Sequence, residues 1–283
     1  MIKPVLQDAA FLADIQTARR TPDSLHLWWL GQSGFLIQWN QHHALLDPYL
    51  SDSLTHKYAA TDKPHVRLTE RVIAPENLSF VDVITSSHNH TDHLDAKTLR
   101  PILQLNPQVP LLVPAANRAF AAERLQVPPE SLHALDAGQS VALGGFRFHA
   151  IPAAHNTLER DAEGRHKFLG YIVEAGPWKI YHSGDTLLYE GIENWLRPAG
   201  IDVALLPING DKPERRVAGN LDGRQAAQLA HAIEARIVIP CHFEMFAFNT
   251  ASPADFVNEC HRLGQTHLVM RNGERWDSSS LLT

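Results

Sequence analysis

Residues 87–93 read Ser-His-Asn-His-Thr-Asp-His, and this segment constrains the chain more than any other. It follows an apolar run, Val81–Ser86, that reads as a buried strand, and it precedes Asp95, which reads as the cap of a helix running to about Leu103 with Pro101 inside it. Its core is His-x-His-x-Asp-His. Four fixed ligand-type positions at this spacing arise by chance about 0.004 times in a chain of this length and composition. Imidazole and carboxylate are ligands for zinc and related divalent ions. In a loop, His88 and His90 can turn toward one ion, leaving Asp92 and His93 for a second beside it. One segment supplies at most half of two coordination shells, so the remainder must come from elsewhere in the chain.

Three later segments offer it, each at a predicted strand end. Phe148–Ile151 leads through Pro152-Ala153-Ala154 to His155, with His149 inside the strand and readable as a packed residue. Tyr181-His182-Ser183-Gly184-Asp185 puts a carboxylate past a short strand, and Gly184 gives the backbone freedom to turn Asp185 inward. Ile237-Val238-Ile239-Pro240-Cys241-His242 repeats the arrangement with a histidine. The candidate ligands are therefore His88, His90, Asp92, His93, His155, Asp185 and His242. Strand ends are where α/β sheets gather functional groups from distant parts of the chain. The 17 histidines among 283 residues matter through this grouping rather than through their number.

The rest of the sequence fits a globular α/β chain, taken as one domain over 1–283. Hydrophobic residues are 44% of the total, which argues against disorder. A net charge of −6 argues against a non-specific grip on nucleic acid, which needs clustered Lys and Arg. No apolar run approaches a membrane span and the charged N-terminal segment has no signal-peptide core, so a cytoplasmic location is expected. The two cysteines, Cys241 and Cys260, make no disulfide framework and read as small buried residues. A homo-oligomer is left open.

Apolar spacing predicts a leading helix over Gln7–Arg19, then a meander of Leu25–Leu30, Phe35–Trp39 and His43–Leu46 in which Trp28 and Trp29 face opposite sides. Ser51–Asn77 reads as a loop near the site. Strand and helix then alternate: Val109–Val113, helix Ala115–Leu125, a hairpin of Ser140–Leu143 with Phe146–Ile151, a hairpin of Phe168–Glu174 with Lys179–Tyr181, Val203–Leu206, helix Gly223–Ala235, Ile237–Ile239, a helix from Ser252-Pro253 to Leu263, and a last strand His267–Met270. This order predicts sheets covered by helices.

The ligand series resembles the metallo-β-lactamase superfamily in its order along the chain. That resemblance implies a four-layer αβ/βα sandwich, one metal on His88, His90 and His155, a second on Asp92, His93 and His242, and Asp185 bridging both. Trp28-Trp29-Leu30-Gly31, Thr85–Asp95, Tyr181–Asp185, Ile201–Leu205 and Val238–His242 are more closely similar to the ascorbate-6-phosphate lactonase group, over about residues 25–245. This chain departs from that group in carrying His155 where an acidic residue is expected, and in being shorter; an added nitrogen ligand favours zinc over manganese. The implied activity is hydrolysis by a hydroxide shared between two divalent ions, Zn or Mn, opening a small lactone, a phosphorylated sugar lactone among the candidates, with Asp92 orienting the hydroxide and Asp185 taking a proton. The alternatives are a phosphodiesterase of the phospholipase-D-like branch and a non-catalytic metal-binding protein. Arg215 and Arg216 are the candidate residues for holding an anionic small-molecule substrate. His182, three residues before Asp185, is expected to hydrogen-bond a ligating carboxylate or a neighbouring histidine.

Overall fold

The computed structural model describes residues 1–281. A helix, α1 (Asp8–Ala18), precedes the meander β1 (His26–Gly31), β2 (Gly34–Trp39) and β3 (His42–Leu46). The segment 51–77 is not a bare loop, since it holds α2 (Ser53–Tyr58) and a 3-10 turn at Pro75–Asn77. Next come β4 (Val83–Thr85), α3 (Ala96–Leu105), β5 (Leu111–Pro114), α4 (Arg118–Leu125), β6 (Leu132–Leu135), β7 (Ser140–Leu143) and β8 (Phe146–Pro152). The second half contains β9 (Leu169–Ala175), β10 (Trp178–His182), α5 (Ile192–Leu196), β11 (Val203–Pro207), α6 (Gly223–Ala232), β12 (Ile237–Cys241), α7 (Ala254–Leu263) and β13 (Arg275–Asp277).

Among these strands are two mixed sheets, ordered β13-β1-β2-β3-β4-β5-β6 and β12-β11-β10-β9-β8-β7. The alternation in β1 shows how they pack. Leu27 and Trp29 join Phe35, Ile37, Ala44 and Leu46 against Phe148, Tyr171, Ile180 and Leu205 of the other sheet. Trp28 and Leu30 point the other way, into a separate core with Phe11 and Ile15 of α1, Leu99 and Ile102 of α3, and Ala121 and Leu125 of α4. On the far side of the second sheet, α6 and α7 close the fourth layer through Ala226, Ala230, Phe256 and Cys260. The order helix, sheet, sheet, helix is the expected αβ/βα sandwich.

One expectation about the strands needs correction, and two short elements were not expected. His267–Met270 is not a strand: it makes a single parallel bridge, Val238 to His267, beside β12. The last strand is instead β13, which pairs antiparallel with β1. Its sequence, Arg-Trp-Asp, has one apolar residue, and β1 supplies the pairing that the local pattern does not advertise. β6 and α5 were also invisible, being short segments whose edge pairing and helix packing are tertiary.

The arrangement that positions the site is the direction of the strands. β3 and β4 run parallel, and β10, β11 and β12 run parallel. Their C-terminal ends emerge at one rim of the sandwich, carrying Asp47, residues 86–93, Asp185 and His242 outward from the two sheets.

Candidate metal centre

All seven predicted residues converge at this rim. His88, His90 and His155 bring ligand atoms within 4.8 Å of one another, and Asp92, His93 and His242 form a second such trio. Asp185 lies between them. Its Oδ2 is 3.5 Å from His155 Nε2 and 3.4 Å from His242 Nε2, while its Oδ1 is 3.2 Å from His93 Nε2. Asp92 Oδ2 is 3.5 Å from His242 Nε2 and 3.7 Å from His93 Nε2.

Local backbone makes this convergence happen. Gly184 has φ +58°, and a Cβ there would fall 2.6 Å from the Ser87 side chain, so only glycine lets the β10 end pass the β4 end closely. Gln32, Asp47 and His242 adopt φ of +51°, +41° and +61°. Left-handed backbone at non-glycine residues costs energy and concentrates at functional sites.

The orientation of the rings is set from behind. Asp47, absent from the sequence reading, is fully buried. Its Oδ2 accepts from His93 Nδ1 at 2.6 Å, its Oδ1 accepts from Ser87 N at 2.9 Å, and the Ser87 hydroxyl donates to Oδ2. His93 Nε2 is thereby aimed into the cluster. Gly219 O accepts from His155 Nδ1 at 2.8 Å, with the same result for His155. Gln32, also missed, donates from Nε2 to Asp92 Oδ2 at 2.8 Å and lies 3.0 Å from His242 Nε2. Asp47, His88 and His93 could also be grouped as ligands, but the Asp47 oxygens are already engaged by Ser87 and His93, which makes Asp47 an orienting group.

The donor set fits a cation. His88 Nε2 is buried without a hydrogen-bond partner, and His93 Nε2 and Asp185 Oδ1, 3.2 Å apart, meet outside good hydrogen-bond geometry. Orphaned buried polar atoms are rare and call for an explanation, and here they sit in one cluster of imidazoles and carboxylates. The electrostatics agree. Burial lowers the pKa of His88 and His155. It also opposes the charge on His93 and His242, yet Asp185 and Asp92 outweigh it, holding His93 well above the ordinary value and His242 up at about 9. Asp92 and Asp185 are pulled well below the carboxylate range against the effect of burial, chiefly by His93. Two imidazoles with raised pKa thus face two carboxylates with lowered pKa, a charge pattern that a divalent ion can satisfy.

Two expectations about neighbouring residues are corrected. Arg215 does not face the centre. Its guanidinium donates to Asn209 O (2.6 Å), Asn249 Oδ1 (3.0 Å) and Thr250 O (2.7 Å), so its charge is spent holding loops together. Arg216 does line the cavity above the centre, paired with Asp62 at the surface. His182 makes neither of the predicted contacts: its Nε2 bonds Ser33 O at 2.8 Å and its edge meets Phe35. Strand alternation turns it from Asp185 toward the first sheet, where it supports the turn that carries Gln32. His149, in β8, pairs with Glu174 at 3.0 Å, away from the cluster.

The cavity over the centre has a volume of about 530 Å³. His90, Asp92, His155, Asp185 and His242 form its base, while Lys57, Tyr58, Lys63 and His65 bring segment 51–77 to its wall, as the sequence led one to expect.

With this geometry in place, comparison with known proteins gives a consistent result. The beta-lactamase superfamily domain matches residues 42–243. A UPF0173 metal-dependent hydrolase of Opitutus terrae is 28% identical over 255 residues, 88% of this chain and 98% of that protein. A counterpart from Saccharolobus solfataricus is 25% identical over 253 residues, covering 88% and 97%. Among solved structures, Igni18, a metallo hydrolase of Ignicoccus hospitalis, superposes with a TM-score of 0.65 at 20% identity, covering 90% of this chain and 98% of its own. The isothiocyanate hydrolase from Delia radicum gut bacteria gives 0.69 at 17%, covering 89% and 98%, a likeness of fold. The match across residues 42–243, which contains every residue of the two trios and Asp185, places the chain in the beta-lactamase superfamily.

Proposed function

We propose that the chain is a metal-dependent hydrolase with a two-ion centre, zinc or manganese, that opens a small anionic lactone. The observation that carries this reading is the Asp185 carboxylate set between two ligand trios, one oxygen toward His93 and the other toward His155 and His242. His88, His90 and His155 would hold one ion, Asp92, His93 and His242 the other, and Asp185 would reach both. When bound, such ions polarise the scissile group and lower the pKa of a water between them.

The chain's own residues then have distinct tasks. Asp92 is fixed by the Gln32 amide and orients the attacking water. Asp185 accepts a proton as the tetrahedral species collapses. The names of the Opitutus and Saccharolobus relatives support the hydrolase class. Lys57, Lys63 and Arg216 on the cavity wall support an anionic substrate, and the similarity to the ascorbate-6-phosphate lactonase group supports a sugar lactone within that class.

The test is metal analysis of His88→Ala, Asp185→Ala and His242→Ala, combined with a screen of lactones, phosphodiesters and phosphorylated sugars on zinc- and manganese-loaded wild type. Two ions per chain, lost in part in each variant, with lactones turned over in preference, is the expected result. If metal content and hydrolysis survive all three substitutions, the assignment is wrong.

A further inference from the structure

Segment 51–77 brings one imidazole to the cavity that none of the ligand assignments uses. His65 lines the same cavity as Asp92, Asp185 and His242. Its Nδ1 lies 2.8 Å from the Lys63 carbonyl. A carbonyl only accepts, so Nδ1 carries a hydrogen and, in the neutral ring, Nε2 carries the lone pair. No hydrogen-bond partner for Nε2 is found among the described residues.

The ring is held rather than loose. Tyr58 stacks on it at 4.5 Å between centroids, and Phe246 and Phe248 contact it at 5.1 and 5.2 Å. Thr55 Oγ1 donates to the His65 carbonyl at 2.7 Å. The following residues are stitched to the loop beyond His242: Ala247 N donates to Val66 O at 2.8 Å, and Leu68 N to Met245 O at 2.9 Å. The segment that presents His65 is thus tied to the segment that presents His242, while the ring itself is in contact with aromatic side chains and not with any of the seven ligands.

We propose that His65 is a catalytic residue that carries a proton from the attacking water to the leaving oxygen. The proposal rests on the hydrolase reading above. Water adds its oxygen to the acyl carbon, one water proton passes to Nε2, and the same nitrogen delivers it to the alkoxide as the acyl C–O bond breaks. The ring begins and ends neutral; the second water proton is the one Asp185 takes at collapse and releases to solvent, so the sum is ester plus water to carboxylate, alcohol and a proton. Nδ1–H stays on the Lys63 carbonyl throughout and stabilises the imidazolium that forms between the two transfers. Burial lowers the pKa of His65, which favours the neutral starting ring, while Asp92 acts in the opposite sense and Lys57 and His242 in the same one.

Two measurements on the zinc-loaded protein test this. The first compares 4-nitrophenyl butyrate, whose leaving group needs no proton, with ethyl butyrate, whose leaving group does. His65→Gln and His65→Ala should each lose about 100-fold in kcat/KM on the ethyl ester, within the usual range for general acid–base catalysis, and only a few-fold on the nitrophenyl ester, with metal content unchanged. Equal losses on both esters, or recovery of ethyl ester hydrolysis by the glutamine, which bonds but transfers no proton, would overturn it. The second is a ¹⁵N spectrum of the imidazoles, which reads the tautomer without any turnover. Nδ1–H with a bare Nε2 is expected; a neutral ring protonated at Nε2 would overturn the proposal. If wild type cleaves neither ester, the lactone screen above decides the hydrolase reading separately, and the tautomer still decides whether His65 can act as described.

Discussion

Replacing Asp47 by asparagine removes one negative charge from behind His93 without changing the size of the side chain. The carboxylate accepts three hydrogen bonds, from Ser87 N, the Ser87 hydroxyl and His93 Nδ1. Asparagine can keep its oxygen on Ser87 N, but its amide NH₂ then faces His93 Nδ1. Two donors cannot share that contact, so the imidazole is driven toward the tautomer protonated on Nε2, the atom that points at Asp92 and Asp185. An Nε2–H ring is not a ligand. A hydrogen bond to a charged group contributes about 1.5–3 kcal/mol, and at about 1.4 kcal/mol per tenfold its loss weakens metal binding by roughly 10- to 150-fold. This agrees with the roughly 10–100-fold seen when groups behind metal ligands are removed. The assay is competition for zinc against a chromophoric chelator at fixed pH, with circular dichroism to confirm folding. Affinity for both ions within threefold of wild type would refute the view that Asp47 sets the His93 tautomer.

The raised pKa of His242 predicts that metal uptake at pH 7.5 releases about one proton per chain or more, measurable by calorimetry in buffers of different ionisation enthalpy; release independent of pH between 7 and 10 would count against it. The same shift has a stability consequence for the metal-free chain. His242 sits at about 9 when folded and near 6.5 when free, so its stabilising contribution is complete below about 6.5 and fades as pH rises to about 9, and the melting temperature of chelated protein should fall over that window. Arg215→Ala should cost about 1–3 kcal/mol through the acceptors it leaves unpaired, whereas Arg216→Ala should leave stability nearly unchanged, its exposed pair being worth about 0–1 kcal/mol. Thermal melts separate the two, and equal melting temperatures would show that Arg215 does not hold the loops.

The convergence of the candidate ligands was legible because they sit in segments that follow buried apolar runs, and histidine or aspartate soon after such a run is conspicuous. The residues that aim them were not, for reasons visible in the structure. Asp47 also follows an apolar stretch, at the end of β3, but Pro48 follows it at once, so it looks like an ordinary turn. Only the parallel pairing of β3 with β4, and the bond from Asp47 N to Thr85 O at 3.1 Å, bring it beside Ser87. Gln32 lies in Gly31-Gln32-Ser33-Gly34, which by sequence is merely a turn between two strands. His182 shows the reverse error: closeness to Asp185 in sequence suggested closeness in function, while the strand sends the two side chains to different partners. Arg215 and Arg216 are adjacent and alike in sequence, yet a left-handed residue at Arg216, φ +52°, separates a half-buried brace from an exposed cation.

The Gln32 turn also explains how two sheets can share one centre. Gln32 O accepts from Trp29 Nε1 at 3.0 Å and from His242 N at 2.9 Å. Trp29 fills the space between the sheets and stacks on Phe243 at 4.7 Å, so one carbonyl joins the first sheet, the core and the loop after β12. The amide of the same residue reaches Asp92. His182, from the second sheet, holds the next carbonyl, that of Ser33. Left-handed backbone at Gln32 and at His242 is what lets both carbonyl and amide reach their partners. That conformation costs of order 1–3 kcal/mol per residue, and the inter-sheet core bears it. The centre therefore depends on sheet packing as much as on its ligands. A change that loosens Trp29 would displace Gln32, and through it Asp92 and His242, although Trp29 touches neither ligand trio by hydrogen bond.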